Sequence, residues 1–160
     1  MSVSASQRRQ GERLLVVVGP TATGKTEFAI RIAEAEDGEI VSADSIQIYR
    51  HFDIGSGKPT ETERSRVRHH LVDCIDPREP IDAARFVELA DRAIEDIRNR
   101  GRQPILCGGT FLWTKAVLYG LAPSAPADPS IRQRHQELVE TRGRDALHQQ
   151  LAAVDSERAA

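Results

Sequence analysis

Cysteine is scarce in this chain: only Cys74 and Cys107 occur in 160 residues, 33 positions apart. A disulfide framework needs more sulfur, and a zinc site needs further ligands at short spacing. Both are read as reduced core thiols. Long apolar runs are also missing, and no stretch approaches the roughly 20 residues of a membrane helix. The opening MSVSASQRRQGER has no apolar core of a secretory signal, so residues 1–13 are expected to be a disordered lead. A surplus of one charge sign is the third absence. Lys and Arg number 22 against 24 Asp and Glu, a net charge of −2, which leaves no whole-chain footprint for nucleic acid, only room for a local basic surface. The expectation is a cytoplasmic protein without membrane attachment, with one domain's worth of core.

What is present alternates between strand and helix signals. Leu14–Val18 is a compact apolar, β-branched run closed by Gly19-Pro20, the pattern of a buried strand. Residues 27–36 carry Phe28, Ala29, Ile30, Ile32 and Ala33 on a helical period. EIVS (39–42) reads as a second strand. Residues 50–68 read as a long loop with one short helix after Pro59, and Leu71–Ile75 as a third strand. Asp82–Arg100 is the clearest helix, with Phe86, Leu89, Ala90, Ala93, Ile94 and Ile97 on one face. A fourth strand follows at Pro104–Cys107, then a helix over Phe111–Tyr119. The proline-rich PSAPADP (123–129) is a linker, followed by charged helices over about 129–141 and 144–153. This order implies an α/β fold, a parallel sheet with helices on both faces, spanning residues 14–122. Ligands of such sheets bind at the carboxyl ends of the strands. Gly19, Asp44, Asp73 and Gly108-Gly109-Thr110 all fall at or just past such ends.

The first of these ends carries a complete phosphate-loop motif: Gly19, Pro20, Thr21, Ala22, Thr23, Gly24, Lys25 and Thr26 satisfy G-x-x-x-x-G-K-[ST] between a strand and a helix. The glycines permit close approach, and the loop N–H groups and helix N-terminus face an anion. Lys25 adds a mobile positive charge, and the Thr26 hydroxyl suits Mg²⁺. The motif specifies a polyphosphate without saying which.

Asp44 closes the second strand. A carboxylate there can bind Mg²⁺ through water, act as a general base, or cap the next turn. Thr110, read alone, is a helix N-cap. Asp73 stands where a kinase would hold a metal-binding aspartate, but reads more simply as a turn residue. His69 and His70 read as structural or as part of an RNA-facing surface. The nearby Arg64, Arg66 and Arg68 read as a solvated face that could meet phosphates.

The motifs GPTATGKT, SADSIQIYRHFDIGSGKPT, HHLVDCIDPREP and PILCGGTFLW, in this order and spacing over residues 14–155, resemble the tRNA dimethylallyltransferases, or isopentenyltransferases. The resemblance implies a P-loop NTPase-like fold and transfer of a dimethylallyl group from dimethylallyl diphosphate to N6 of adenine 37, beside the tRNA anticodon. It implies that the loop holds the donor's diphosphate, not ATP, with Mg²⁺ on Thr26, and that Asp44, Lys25 and Thr26 are catalytic. It further places Asp44, Ser45, Ile46 and Gln47, together with Thr110 and Arg132, against the tRNA. Trp113 stands where the family often has tyrosine.

Chains of that family run substantially longer. The expectation is therefore a monomeric, donor-binding half whose residues 123–160 begin a helical tRNA-binding region that is cut short, and so a partial or inactive fragment. Three other readings share the motif: isopentenyl transfer to a free adenine nucleotide, as in cytokinin synthesis; a small P-loop kinase with Asp44 as base and Asp73 on the metal; and an inert anion-binding module.

Overall fold

The computed structural model describes residues 13–122 and 128–160. The expected lead, apart from Arg13, and residues 123–127 of the expected linker lie outside the described residues. Two compact units divide between Leu121 and Ala122.

In the first unit four strands form one parallel sheet: β1 (Leu15–Val18), β2 (Gly38–Ser42), β3 (His69–His70) and β4 (Gln103–Gly108). Their order is β1-β4-β2-β3, so β4 lies between β1 and β2. Side chains alternate across the pleat. Ile40 and Ile105 point to one face, where α1 (Lys25–Ala35) covers them with Ala29, Ile30 and Ala33. Val41 and Leu106 point to the other, where α3 (Ala83–Asn99) and α4 (Phe111–Tyr119) pack. There Phe86 of α3 stacks on Trp113 of α4, ring centroids 4.3 Å apart. Trp113 is thus a core residue.

The short helix expected after Pro59 is α2 (Glu61–Arg66). Thr60 and Glu63 close a reciprocal capping box at its start. Two expectations fail. Phe28, placed on the same helical period as the buried Ala29, Ile30 and Ala33, is 59% exposed. The third strand is not Leu71–Ile75 but the preceding His69–His70, paired with Ile40 and Val41. Leu71 and Asp73 take left-handed backbone angles, φ +59° and +54°, which no strand accommodates, and only Ile75 bridges, to Tyr49. His70 is there for its charge partner: its Nε2 meets the Glu39 carboxylate at 2.6 Å.

Glu39 itself is 2% exposed and also receives Arg100 in a two-pronged pair. The Arg100 hydrogen bonds, opposed by burial and helped by His70, hold the Glu39 carboxyl down at about 2.

The second unit contains α5 (Pro129–Arg142), α6 (Arg144–Val154) and a short α7 (Ser156–Ala159) that sequence reading missed. Asp128 caps α5 by accepting from Ser130 N at 2.8 Å, with Pro129 in the first turn. Gly143, at φ +81°, reverses the chain between α5 and α6. Among the described residues, no helix is long and apolar enough to cross a membrane.

Candidate active site

The carboxyl ends of β1, β4 and β2 bring three segments together. The first is the loop 19–26. Ala22 and Gly24 both take left-handed angles, φ +64° and +79°, and Gly24 leads into α1. Thr23 Oγ1 donates to the Pro20 carbonyl at 2.8 Å, and the Lys25 ammonium hydrogen-bonds the same carbonyl across the loop. The Thr26 hydroxyl has no protein partner among the described residues.

The second segment is Gly108-Gly109-Thr110. A Cβ on Gly108 would stand 2.2 Å from the Ala43 carbonyl oxygen and 2.8 Å from Ala43 Cα, so only glycine lets β4 run this close to the chain leaving β2. A Cβ on Gly109 would lie 3.5 Å from the Gly19 carbonyl oxygen, which puts this segment directly beside the phosphate loop.

The third is Asp44 to Gln47. Asp44 Oδ1 accepts from the N–H groups of Ile46 at 2.9 Å and Gln47 at 3.2 Å, so the carboxylate caps the turn after β2. Oδ2 accepts nothing from the protein among the described residues. Ser45 N donates to Thr110 Oγ1 at 3.0 Å, and the two hydroxyls lie 3.3 Å apart. Thr110 stands at the N-cap position of α4, as read from the sequence, but its side chain makes no capping bond and instead ties the Asp44 turn to the glycine segment. Ile46 is half exposed.

Cys107, on β4, is buried. Burial pushes its thiol up to about 11, the Lys25 charge pulls against that, and the Asp44 charge adds to it. The buried sulfur lies 3.9 Å from the Lys25 carbonyl.

Of the remaining candidates, Asp73 donates its N–H to the Gln47 carbonyl at 3.0 Å. Asp73 carries no free carboxylate: Lys58 and Arg64 both bind it. Burial raises its pKa, but the hydrogen bonds from Lys58 and Arg64 outweigh that and leave it below the ordinary value. The kinase reading therefore loses its metal aspartate. The arginine run is largely committed inside the protein, Arg64 to Asp73 and Arg66 to Glu27 and Glu34. Arg132 is exposed in the first turn of α5, in the second unit. Sequence reasoning assigned nothing to Lys58, although the segment DIGSGKP places a lysine between glycine and proline just after an acid.

Phosphate loop after β1, parallel sheet and a carboxylate past β2 define a P-loop NTPase-like protein. The IPP transferase family model matches residues 47–160, and the chain belongs to that family. It is 65% identical over 147 residues to a tRNA dimethylallyltransferase of Sorangium cellulosum, covering 92% of this chain and 47% of that protein. With the tRNA dimethylallyltransferase of Anaeromyxobacter dehalogenans strain 2CP-C it shares 50% identity, covering 92% and 50%. Among solved structures, a full-length tRNA isopentenylpyrophosphate transferase of Bacillus halodurans matches at 41% identity and a TM-score of 0.68, covering 92% of this chain and 49% of that one. A eukaryotic dimethylallyltransferase acting on tRNA matches at 26% identity and a TM-score of 0.74, covering 92% and 37%. The chain spans about half the length of the curated relatives it matches. These matches do not favour the kinase or free-nucleotide readings.

Proposed function

We propose that this chain supplies the donor site of a tRNA dimethylallyltransferase, which moves a dimethylallyl group from its diphosphate to N6 of adenine 37 in the anticodon loop. One observation carries the reading: the glycine segment 108–110 joins the phosphate loop to the Asp44 turn, Gly109 lying against the Gly19 carbonyl and Thr110 Oγ1 accepting from Ser45 N at 3.0 Å, with Asp44 Oδ2 free of protein bonds among the described residues.

The reaction breaks the allylic C–O bond and forms a C–N bond, and diphosphate leaves. The loop N–H groups and Lys25 stabilise the charge on that leaving group as it develops. The bond to the Pro20 carbonyl uses one of the three ammonium N–H groups and leaves two for the diphosphate. The adenine amine is weakly nucleophilic because its lone pair is delocalised. Asp44 takes its proton as the new bond forms. The bonds to Oδ1 fix the carboxylate plane, and Oδ2 receives the proton. To reach this site the adenine leaves the anticodon stack. Ser45, Ile46, Gln47, Thr110 and Arg132 are proposed as further tRNA contacts.

The residues fit Mg²⁺. The Thr26 hydroxyl has no protein partner among the described residues. No group of three or more His, Cys, Asp or Glu among the described residues could form a cage for a metal. An oxygen-only, incomplete set suits an ion that takes its other ligands from phosphate and water. Held at Thr26, Mg²⁺ supplies charge neutralisation to the diphosphate.

Single-turnover transfer tests the reading. The chain is mixed with Mg²⁺, labelled dimethylallyl diphosphate and unmodified tRNA bearing adenines at positions 36 and 37, with AMP as parallel acceptor. Label on tRNA is expected. Label on AMP alone would overturn the acceptor, and diphosphate binding without transfer to either would mean that residues beyond this chain are required. Asp44→Ala is expected to abolish transfer with donor binding retained, and Lys25→Ala to weaken donor binding as well.

A further inference from the structure

Lys58 is the most buried ammonium outside the phosphate loop, its side chain 6% exposed. It donates to Asp53 Oδ1 at 3.0 Å and to Asp73 Oδ1. Arg64 completes Asp73 through its other carboxylate oxygen, and its Nε donates to the Pro59 carbonyl at 3.1 Å. This network joins two segments, 53–59 and 73, and what lies between them is Gln47. The Asp73 N–H donates to the Gln47 carbonyl at 3.0 Å. Gln47 Nε2 donates to the carbonyl of Gly57, the neighbour of Lys58, at 2.7 Å, and Ser42 Oγ donates to Gln47 Oε1 at 3.1 Å. A carbonyl only accepts, so Gly57 fixes which end of the amide is nitrogen.

We propose that Lys58 is a positioning residue. Its ion pair with Asp73 draws the Gly57 and Asp73 backbones onto Gln47 and locks the Gln47 amide in one orientation. The locked amide keeps one Nε2 hydrogen and one Oε1 lone pair outside these bonds, a donor and an acceptor on one side chain. That pair matches the edge of a nucleobase. The consequence for RNA rests on the proposed tRNA reading; the locking of Gln47 does not.

The chemistry favours this over a purely structural ion pair. Asp53 is 73% exposed on its side chain and gains little from Lys58, and Asp73 already has Arg64. Lys58→Met therefore removes the ammonium while leaving no buried carboxylate unpaired, and the chain is expected to fold.

The test has two arms. In the first, the side-chain amide of Gln47 is followed by nitrogen-15 NMR, assigned with Gln47→Ala. The free protein is expected to show two well-separated, slowly exchanging amide protons; in Lys58→Met they collapse toward solvent values, and Lys58→Arg restores them in part. An unchanged Gln47 amide in Lys58→Met overturns the proposal whether or not RNA binds. In the second arm, the affinity for a synthetic anticodon stem-loop is measured for the same variants. Lys58→Met is expected to weaken it about tenfold, with inorganic diphosphate binding unchanged. Added to Gln47→Ala, it should cost nothing further, because it acts through Gln47. Full additivity of the two losses would overturn the proposal. Failure of the unaltered chain to bind the stem-loop would mean that RNA binding requires residues beyond this chain, and the first arm would decide the role of Lys58.

Discussion

Glu39 offers the sharpest quantitative test of the fold. Its carboxyl is 2% exposed, receives Arg100 and His70, and is held at about 2 against an ordinary 4.5. A folded-state value below the unfolded one means that the ionised form stabilises the fold above about pH 4.5, and that this is lost as pH falls toward 2. A shift of this size corresponds to about 3 kcal/mol at neutral pH, of which about 2 kcal/mol disappears between pH 7 and pH 3. Other carboxylates titrate in the same window, including Asp73 and Asp128, so the perturbation is Glu39→Gln, which keeps the shape and removes the titration. Urea unfolding at pH 7 and pH 3 gives the stability loss for each protein. The loss in Glu39→Gln is expected to be smaller by about 2 kcal/mol. Equal losses would show that the buried pair does not couple folding to pH and would refute the argument from burial and hydrogen bonding.

Three further outcomes are expected. Gly108→Ala places a Cβ 2.2 Å from the Ala43 carbonyl oxygen, and neither backbone can yield without parting β2 from β4; circular dichroism and thermal melting should show a protein that is unfolded or about 3 kcal/mol or more less stable, and a melting temperature within about 2 °C of the parent would contradict the clash. Trp113→Ala removes the ring stacked on Phe86 and should cost about 3–5 kcal/mol in urea unfolding. Thr110→Val leaves the Ser45 N–H without its acceptor; it should cost about 1–2 kcal/mol and speed amide exchange at Ser45, and unchanged exchange would rule out the tie between the two segments.

The sheet was legible where local pattern and global role agree. The β-branched run of β1 and the apolar stripe of α3 need no tertiary information. The third strand was not legible because the cue pointed to the wrong residues. LVDCI looks like a strand and HH does not, yet left-handed angles at Leu71 and Asp73 break the former, and a buried carboxylate 31 positions earlier makes the latter acceptable. Phe28 shares a helical period with buried neighbours, and only the finished packing shows which side of α1 meets the sheet. At the candidate site, the phosphate loop and Asp44 were readable because their chemistry is tied to a strand end. The Lys58–Asp73 pair spans 15 positions with no periodic signal, so only the folded chain brings it into view.

The two ends of the sheet divide the work. At the amino end of β2, Glu39 gathers Arg100 and His70 into a pair whose contribution is to stability. At the carboxyl end, Asp44 gives one oxygen to its own turn and keeps the other. Cap and proton acceptor, alternatives when the aspartate is read from spacing alone, are compatible in one carboxylate because two backbone N–H groups occupy a single oxygen. The capping bonds hold the free oxygen in place beside the loop, and Thr110 holds the turn that carries it. A change at Glu39 should therefore shift unfolding without altering diphosphate binding, and a change at Lys25 the reverse. Four residues, Ile40 to Ala43, separate Glu39 from Asp44, and no hydrogen bond or ion pair among the described residues joins the two groups directly, so their effects should add.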